Sequence, residues 1–201
     1  MKQELYEFDK ELIQKYGVLC GVDEAGRGPL CGPVAVAAVI LDPQYTIEGI
    51  DDSKKLSEKK RNLLYQQILE KAIEVSVVLV EPETIDRLNI LQATMQGMAQ
   101  AVSALKHRPT LALIDGNRCP EMEIPCQAVV KGDAHSASIA AASIVAKVTR
   151  DTYMMELDKQ YPQYQLAKHK GYPTKLHYQL LDEYGIQDFY RKSFLKKRGY
   201  V

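Results

Sequence analysis

Asp23 and Glu24 stand side by side at the end of an apolar run, and Gly26-Arg27-Gly28-Pro29-Leu30-Cys31-Gly32 follows at once. Two neighbouring carboxylates at the end of a buried strand repel and raise each other's pKa, so a bound cation is the natural way to keep both ionised. Glycine backbone can approach a ligand more closely than a residue carrying a Cβ. These residue types predict a metal site beside a backbone-reading loop. Two further acids, Asp115 in Leu113-Ile114-Asp115-Gly116 and Asp133 in Lys131-Gly132-Asp133, fall where apolar strand-length runs end. Open α/β sheets bind ligands in the crevice beyond their strand ends, and adjacent strands lie about 4.8 Å apart. Carboxylates there could share one or two divalent ions, and two ions about 3.5–4 Å apart suit in-line phosphoryl displacement. All-oxygen ligands favour Mg2+ or Mn2+ over Zn2+. Each acid also has a plainer reading: Asp115-Gly116 as a turn, Asp133 as a helix N-cap, Asp23-Glu24 as a solvated loop start.

The elements that must carry these residues follow from hydrophobic periodicity. Leu5, Phe8, Leu12 and Ile13 predict an amphipathic helix over 2–16. Val18–Asp23 and Val34–Leu41 read as neighbouring strands, the second rich in β-branched residues. A helix over 56–72 has Ser57 as its cap, and a third strand, 75–80, stops at Pro82. Leu91, Met95, Met98, Val102 and Leu105 set a helix over 89–107. Short strands at 111–114 and 124–130 follow, then a long alanine-rich helix over about 135–159 with Ile139, Ala142, Ala146 and Thr149 on one face. The last forty or so residues, punctuated by Pro162, Gly171, Pro173, Gly185 and Gly199, read as shorter helices and loops. Five strands alternating with helices after an initial strand pair predict one α/β domain spanning 1–201 around a mixed central sheet, of undetermined strand order.

Composition narrows the partners. Lys plus Arg equals Asp plus Glu at 26 each, so no global field draws the chain to nucleic acid or membrane, and any polyanion must be held by local basic clusters. The longest apolar run, Val34–Leu41, is too short to span a bilayer, and the N-terminus lacks a signal-peptide core. A cytoplasmic protein, monomeric by default, with no membrane partner, is expected. Cys20, Cys31, Cys119 and Cys126 form no C-x-x-C pair and read as reduced cysteines, and the four histidines show no metal-ligand spacing. The glycine loop is not G-x-G-x-x-G, because its third glycine comes one position late and Pro29 removes an N–H. No Walker A, H-E-x-x-H or G-x-S-x-G sequence occurs, which disfavours dinucleotide, P-loop, metalloprotease and serine-hydrolase chemistry.

Residues 21–34, Gly-Val-Asp-Glu-Ala-Gly-Arg-Gly-Pro-Leu-Cys-Gly-Pro-Val, resemble the opening motif of the ribonuclease HII family. Further segments match that family in order: Asp52-Ser53-Lys54-Lys55-Leu56, Leu113–Gly116, Lys131–Asp133 running into Ser138–Lys147, and His169-Lys170-Gly171-Tyr172-Pro173-Thr174 with His177. The resemblance covers about residues 17–190, leaving a short N-terminal helix and a basic tail. Related type 3 enzymes carry lysine within the glycine loop and a large N-terminal extension, whereas this chain has Arg27 and a short lead-in.

The resemblance implies a ribonuclease H-like α/β fold with a helical C-terminal part. It implies an endonuclease dependent on Mn2+ or Mg2+ that cuts 5′ of ribonucleotides, in RNA–DNA hybrids and at single ribonucleotides within duplex DNA, leaving 3′-hydroxyl and 5′-phosphate ends. By the same resemblance Asp23, Glu24, Asp115 and Asp133 are catalytic; Asp23, Glu24 and Asp115 hold metal, and Asp133 completes the site when substrate brings a second ion. Gly26, Arg27 and Gly28 read the ribose 2′-hydroxyl, the group that separates RNA from DNA, and Tyr172 packs on the sugar at the DNA side of the junction.

Lys54 and Lys55 begin a basic run, and the motif match turns them toward phosphate contact, though such a run also reads as a solvated face. Lys168, His169 and Lys170 beside Tyr172 suit a duplex backbone, while Lys147 serves equally well as a helix-surface residue. The tail Lys192, Lys196, Lys197 and Arg198 reads as a solubilising end or an accessory contact. Two rival classes remain at this level: another two-metal nucleic-acid enzyme on the same scaffold, and a non-catalytic binding module with a vestigial site.

Overall fold

A computed structural model describes residues 2–196 and 199–201, so Lys197 and Arg198 lie outside the described residues. The elements are α1 (Lys2–Tyr16), β1 (Leu19–Ala25), β2 (Val34–Leu41), α2 (Glu58–Lys71), β3 (Ala72–Val80), α3 (Pro82–Leu88), α4 (Ile90–Ser103), β4 (Leu111–Asp115), β5 (Cys126–Val129), α5 (Ala137–Gln160), α6 (Leu166–His169), α7 (Lys175–Tyr184) and α8 (Lys192–Leu195). The sheet order is β3-β2-β1-β4-β5, antiparallel across β3, β2 and β1 and parallel across β1, β4 and β5. The mixed sheet flanked by helices expected from the strand pattern is what the chain adopts.

β2 shows why the sheet lies between helical layers. Its even-numbered residues Val34, Val36, Ala38 and Ile40 pack with Met98 and Val102 of α4, and its odd-numbered Ala37 and Val39 pack with Ile68 of α2 and Ala141 of α5. Both faces are apolar, so the strand reads as a continuous hydrophobic run rather than an alternation. α5 is fully buried through Ala137–Ala146 because its alanines and serines let it settle close to the sheet. The approach is tightest at Gly21 of β1, where a Cβ would fall 2.1 Å from the Ser138 carbonyl carbon.

Boundaries differ from the periodicity reading for identifiable reasons. Pro82 does not merely stop β3; it opens α3 at the first helical position, where its missing N–H is harmless. Ala72 belongs to β3, because the last turn of α2 ends on an extended residue that pairs with Leu41. α4 ends at Ser103 and is capped by Asn89, whose side chain accepts from the amides of Leu91 and Gln92. On α5 the buried stripe runs on to Arg150, whereas Thr149 is only half-buried. The chain after α5 folds back on the glycine loop: Leu30 and Cys31 share a cluster with Met154, Tyr164, Leu181 and Tyr190.

Candidate active site

The register pairs Val22 of β1 with Ile114 of β4, so the next residues along these parallel strands are Asp23 and Asp115. Side chains alternate across a strand, which puts Asp23 on the α5 face and Glu24 on the opposite side. Asp23 is almost wholly buried. Its Oδ1 accepts the Glu24 amide at 2.7 Å, and it also bonds the Ser143 hydroxyl of α5. Burial first, then the charges of Glu24 and Asp115, push the Asp23 carboxyl well above its ordinary range. Burial likewise raises Glu24, against the opposing pull of Arg27, whose Nη1 lies 3.4 Å from Glu24 Oε1.

Asp115 Oδ1 accepts the Gly132 amide at 2.7 Å. That bond brings in the short 3-10 turn Gly132–Ala134, and with it Asp133. Asp133 is not the N-cap of α5; Ser136 takes that place, accepting from the Ile139 amide. The Asp133 carboxyl is raised to about 6, by burial first and then by the nearby carboxyls of Asp52 and Asp115. Asp115 therefore links the sequence-predicted acids, acting on Asp23 and Glu24 at the strand ends and on Asp133 in the turn beyond β5.

Lys54 stands in the field of Asp23, Asp133, Asp52 and Asp115; burial works to lower its pKa, and those four charges raise it. Lys55 turns outward and pairs with Asp51 at 3.6 Å on the surface. The loop bearing them is fixed to the site through Ser53, whose hydroxyl meets the Ser143 hydroxyl at 2.8 Å. Ser143 thus joins the loop to Asp23. Lys147 is held by Asp151 at 2.7 Å on the same helix.

The glycine loop and Tyr172 form the adjoining wall. A Cβ on Gly28 would lie 3.7 Å from Tyr172 Cε1, and Tyr172 is 41% exposed, so its ring faces solvent beside the loop. The Tyr172 carbonyl accepts from His177 Nδ1 at 2.9 Å, and His177 Nε2 meets the Tyr190 hydroxyl at 3.0 Å. A neutral imidazole satisfies both contacts, one nitrogen donating and the other accepting. Burial first, then the stacked His169, lower His177 to about 4. His169, read from the sequence as part of a patch for a duplex backbone, is instead buried, its Nε2 3.0 Å from Tyr164 O and its Nδ1 accepting the Gly171 amide, so it and His177 brace the loop. A hollow of about 240 Å³ opens between the wall and α4, lined by Glu24, Arg27, Asp115, Asn117 and Arg118 above Met95 and Met98.

Asp52, Ser143, Asn117 and Arg118 join the site without having been singled out for it. Asp52 lay within a matched motif, but nothing in its spacing announced that it would meet Asp133. Arg150 and Arg191, both buried, were also missed; a charged residue on the apolar stripe of α5 was the available signal for Arg150.

The donor set fits a hard divalent cation. It is made of carboxylate oxygens, and Asp23 and Glu24 are both raised in its absence, a burden that a cation would lift. Among the described residues no group of three or more His, Cys, Asp or Glu side chains is arranged to hold a metal ion as the structure stands, so the acids would have to close in around one.

Comparison with known proteins bears on this arrangement. The family model described as ribonuclease HII matches residues 20–197. The chain is 60% identical to the ribonuclease HII of Vibrio parahaemolyticus over 184 residues, covering 92% of this chain and 87% of that protein. It is 56% identical to that of Dechloromonas aromatica, covering 92% and 94%. In three dimensions it is similar to the ribonuclease H2 of Pyrococcus horikoshii, with a TM-score of 0.77 and 27% identity over 91% of this chain and 96% of that one.

Proposed function

The chain belongs to the ribonuclease HII family and is an endoribonuclease acting on RNA–DNA hybrids; within that activity we propose a finer reading. The enzyme is metal-dependent and cuts 5′ of ribonucleotides, both in hybrids and at a single ribonucleotide embedded in duplex DNA, leaving 3′-hydroxyl and 5′-phosphate ends. The observation that carries this reading is the meeting of Asp23, Glu24, Asp115 and Asp133 beside Gly26–Gly28 and Tyr172, from segments far apart in the chain.

Asp23, Glu24 and Asp115 would hold a divalent cation, Mn2+ or Mg2+, with Asp133 joining when substrate is present. Such a cation, when bound, supplies activation of water and neutralisation of charge on the scissile phosphate and leaving oxygen. The chain's own residues orient the strand. Gly26, Arg27 and Gly28 read the 2′-hydroxyl by close backbone approach and one guanidinium. The exposed ring of Tyr172 packs on the next sugar. Lys54 offsets the negative charge crowded around Asp133 and Asp115 and, with Lys55, meets the phosphate backbone. No described helix is long and apolar enough to cross a membrane.

A DNA duplex carrying one ribonucleotide tests the reading. A nick 5′ of that residue, dependent on added metal, abolished by chelator and absent from the all-DNA duplex, is expected. Equal cutting of both duplexes, cutting only from strand ends, or binding without turnover would refute it.

A further inference from the structure

Two buried arginines hold the glycine loop from beneath, and neither uses a carboxylate to do so. Arg191 donates from Nε to Gly32 O at 3.0 Å, from Nη1 to Arg27 O at 3.0 Å and Pro29 O at 2.8 Å, and from Nη2 to Gly26 O at 2.7 Å. Arg150 donates from Nε to Pro33 O at 3.1 Å, from Nη2 to Cys31 O at 3.1 Å, and from Nη1 to Lys170 O at 2.9 Å. Arg191 is 0% exposed and Arg150 1%. Gly26 leaves room for this: its φ is +94°, and a Cβ there would fall 1.9 Å from Arg150 Nε.

The direction of these carbonyls decides what the loop shows to solvent. In a trans peptide the C=O and the following N–H point opposite ways, and the described residues contain no cis bonds. With the Gly26 and Arg27 carbonyls drawn inward to Arg191, the Arg27 and Gly28 amides point away from it. Arg150 extends the same hold to the segment before Tyr172, with its guanidinium carbon 5.9 Å from the Tyr172 ring centre. One pair of side chains thus sets both the loop and the ring beside it.

We infer that Arg191 and Arg150 are positioning residues for ribose discrimination: they fix the orientation of the Arg27 and Gly28 amides and their spacing from Tyr172. This rests on the ribonucleotide-reading function proposed above. A lysine at either place keeps the charge but loses the planar fork that spans several carbonyls. The amides then have no fixed direction, while the acids on β1 and β4 stay where the sheet puts them.

The test measures affinity for a DNA duplex with one ribonucleotide and for the matching all-DNA duplex, in chelator so that no cleavage intervenes. Wild type, Arg191→Lys and Arg150→Lys are compared. The wild type is expected to prefer the ribonucleotide duplex, and each variant to lose that preference by about tenfold with affinity for the all-DNA duplex unchanged. A merely structural role would lower both affinities together. Variants that keep the wild-type preference, weaken on both duplexes alike, or both fail to fold by circular dichroism would overturn the inference. A wild type with no preference would instead overturn the function on which it rests, and the unmutated protein alone reveals that.

Discussion

The Gly132 amide donates to Asp115 Oδ1 at 2.7 Å, and so the end of β4 is tied directly to the turn that carries Asp133. β4 and β5 are parallel neighbours with Asp115 paired to Val129, and the chain reaches Asp133 four residues beyond that pair. One oxygen of Asp115 is thereby occupied by the backbone, while its charge still bears on Asp23 and Glu24.

The buried acids predict a trade between activity and stability. Asp23→Asn and Asp115→Asn should each reduce cleavage by more than about a hundredfold. In chelator the melting temperature of Asp23→Asn should equal or exceed that of the wild type, because the amide keeps the contacts to Glu24 and Ser143 and removes a charge that burial, Glu24 and Asp115 all oppose. Metal should raise the melting temperature of the wild type and not of the variant. An active variant, or one that gains as much from metal, refutes the ligand assignment.

Arg27→Ala should weaken selection for ribonucleotides by about tenfold, as expected for one hydrogen bond to a charged group. Its side chain is 46% exposed and touches only Glu24 in the site, so the melting temperature should hardly move. Parallel cleavage rates and melting curves check both halves of this expectation; unchanged selectivity would remove Arg27 from the reading of substrate.

Gly21→Ala should destabilise the fold by at least about 1–3 kcal/mol, the usual range for overpacking. Its Cβ would meet backbone atoms of Ser138 and Ile139, which cannot swing aside as a side chain could. Denaturant unfolding at constant m-value measures the loss. A wild-type midpoint would mean that α5 does not sit on β1 as described.

Acid should weaken the protein through His177. Its folded pKa of about 4 lies below the ordinary 6.5, so between these values the unfolded chain binds a proton that the native state refuses. Stability therefore falls as pH drops through that window, by up to about 1.4 kcal/mol per pH unit for one such group. Glu74 acts lower: the amides of His107 and Lys106 hold it down to about 2, so its contribution fades only below 4.5. Urea midpoints at about pH 7 and about pH 5 should differ less in His177→Gln than in the wild type. Equal slopes would show that His177 is not buried as a neutral imidazole.

Much of the scaffold was legible because local signals agreed with tertiary ones. Val34–Leu41 announced a strand by its apolar, β-branched run, and Ser57 announced the start of α2. The acids were legible as strand ends. The missed features depend on partners far along the chain: Arg191 acts on carbonyls more than 150 residues earlier, and a backbone oxygen leaves no trace in a residue's identity. Asp52 acts on Asp133 from a loop that Ser143 and Arg61, both outside its own motif, hold at Ser53. The two lysines of one motif part company for a similar reason. A turn at Asp52 sets Lys54 in the field of the acids and Lys55 against Asp51, both at the surface, which composition could not reveal.

The carbonyl-bound guanidiniums also alter how the molecule's neutrality should be understood. The tally of ionisable groups balances, yet two cations beneath the glycine loop hydrogen-bond carbonyls, and Asp151 and Asp86 reach them only through their fields. With their N–H groups turned to backbone oxygens and away from solvent, they stiffen the floor of the cleft and leave the phosphates of a bound strand to the lysines at its rim.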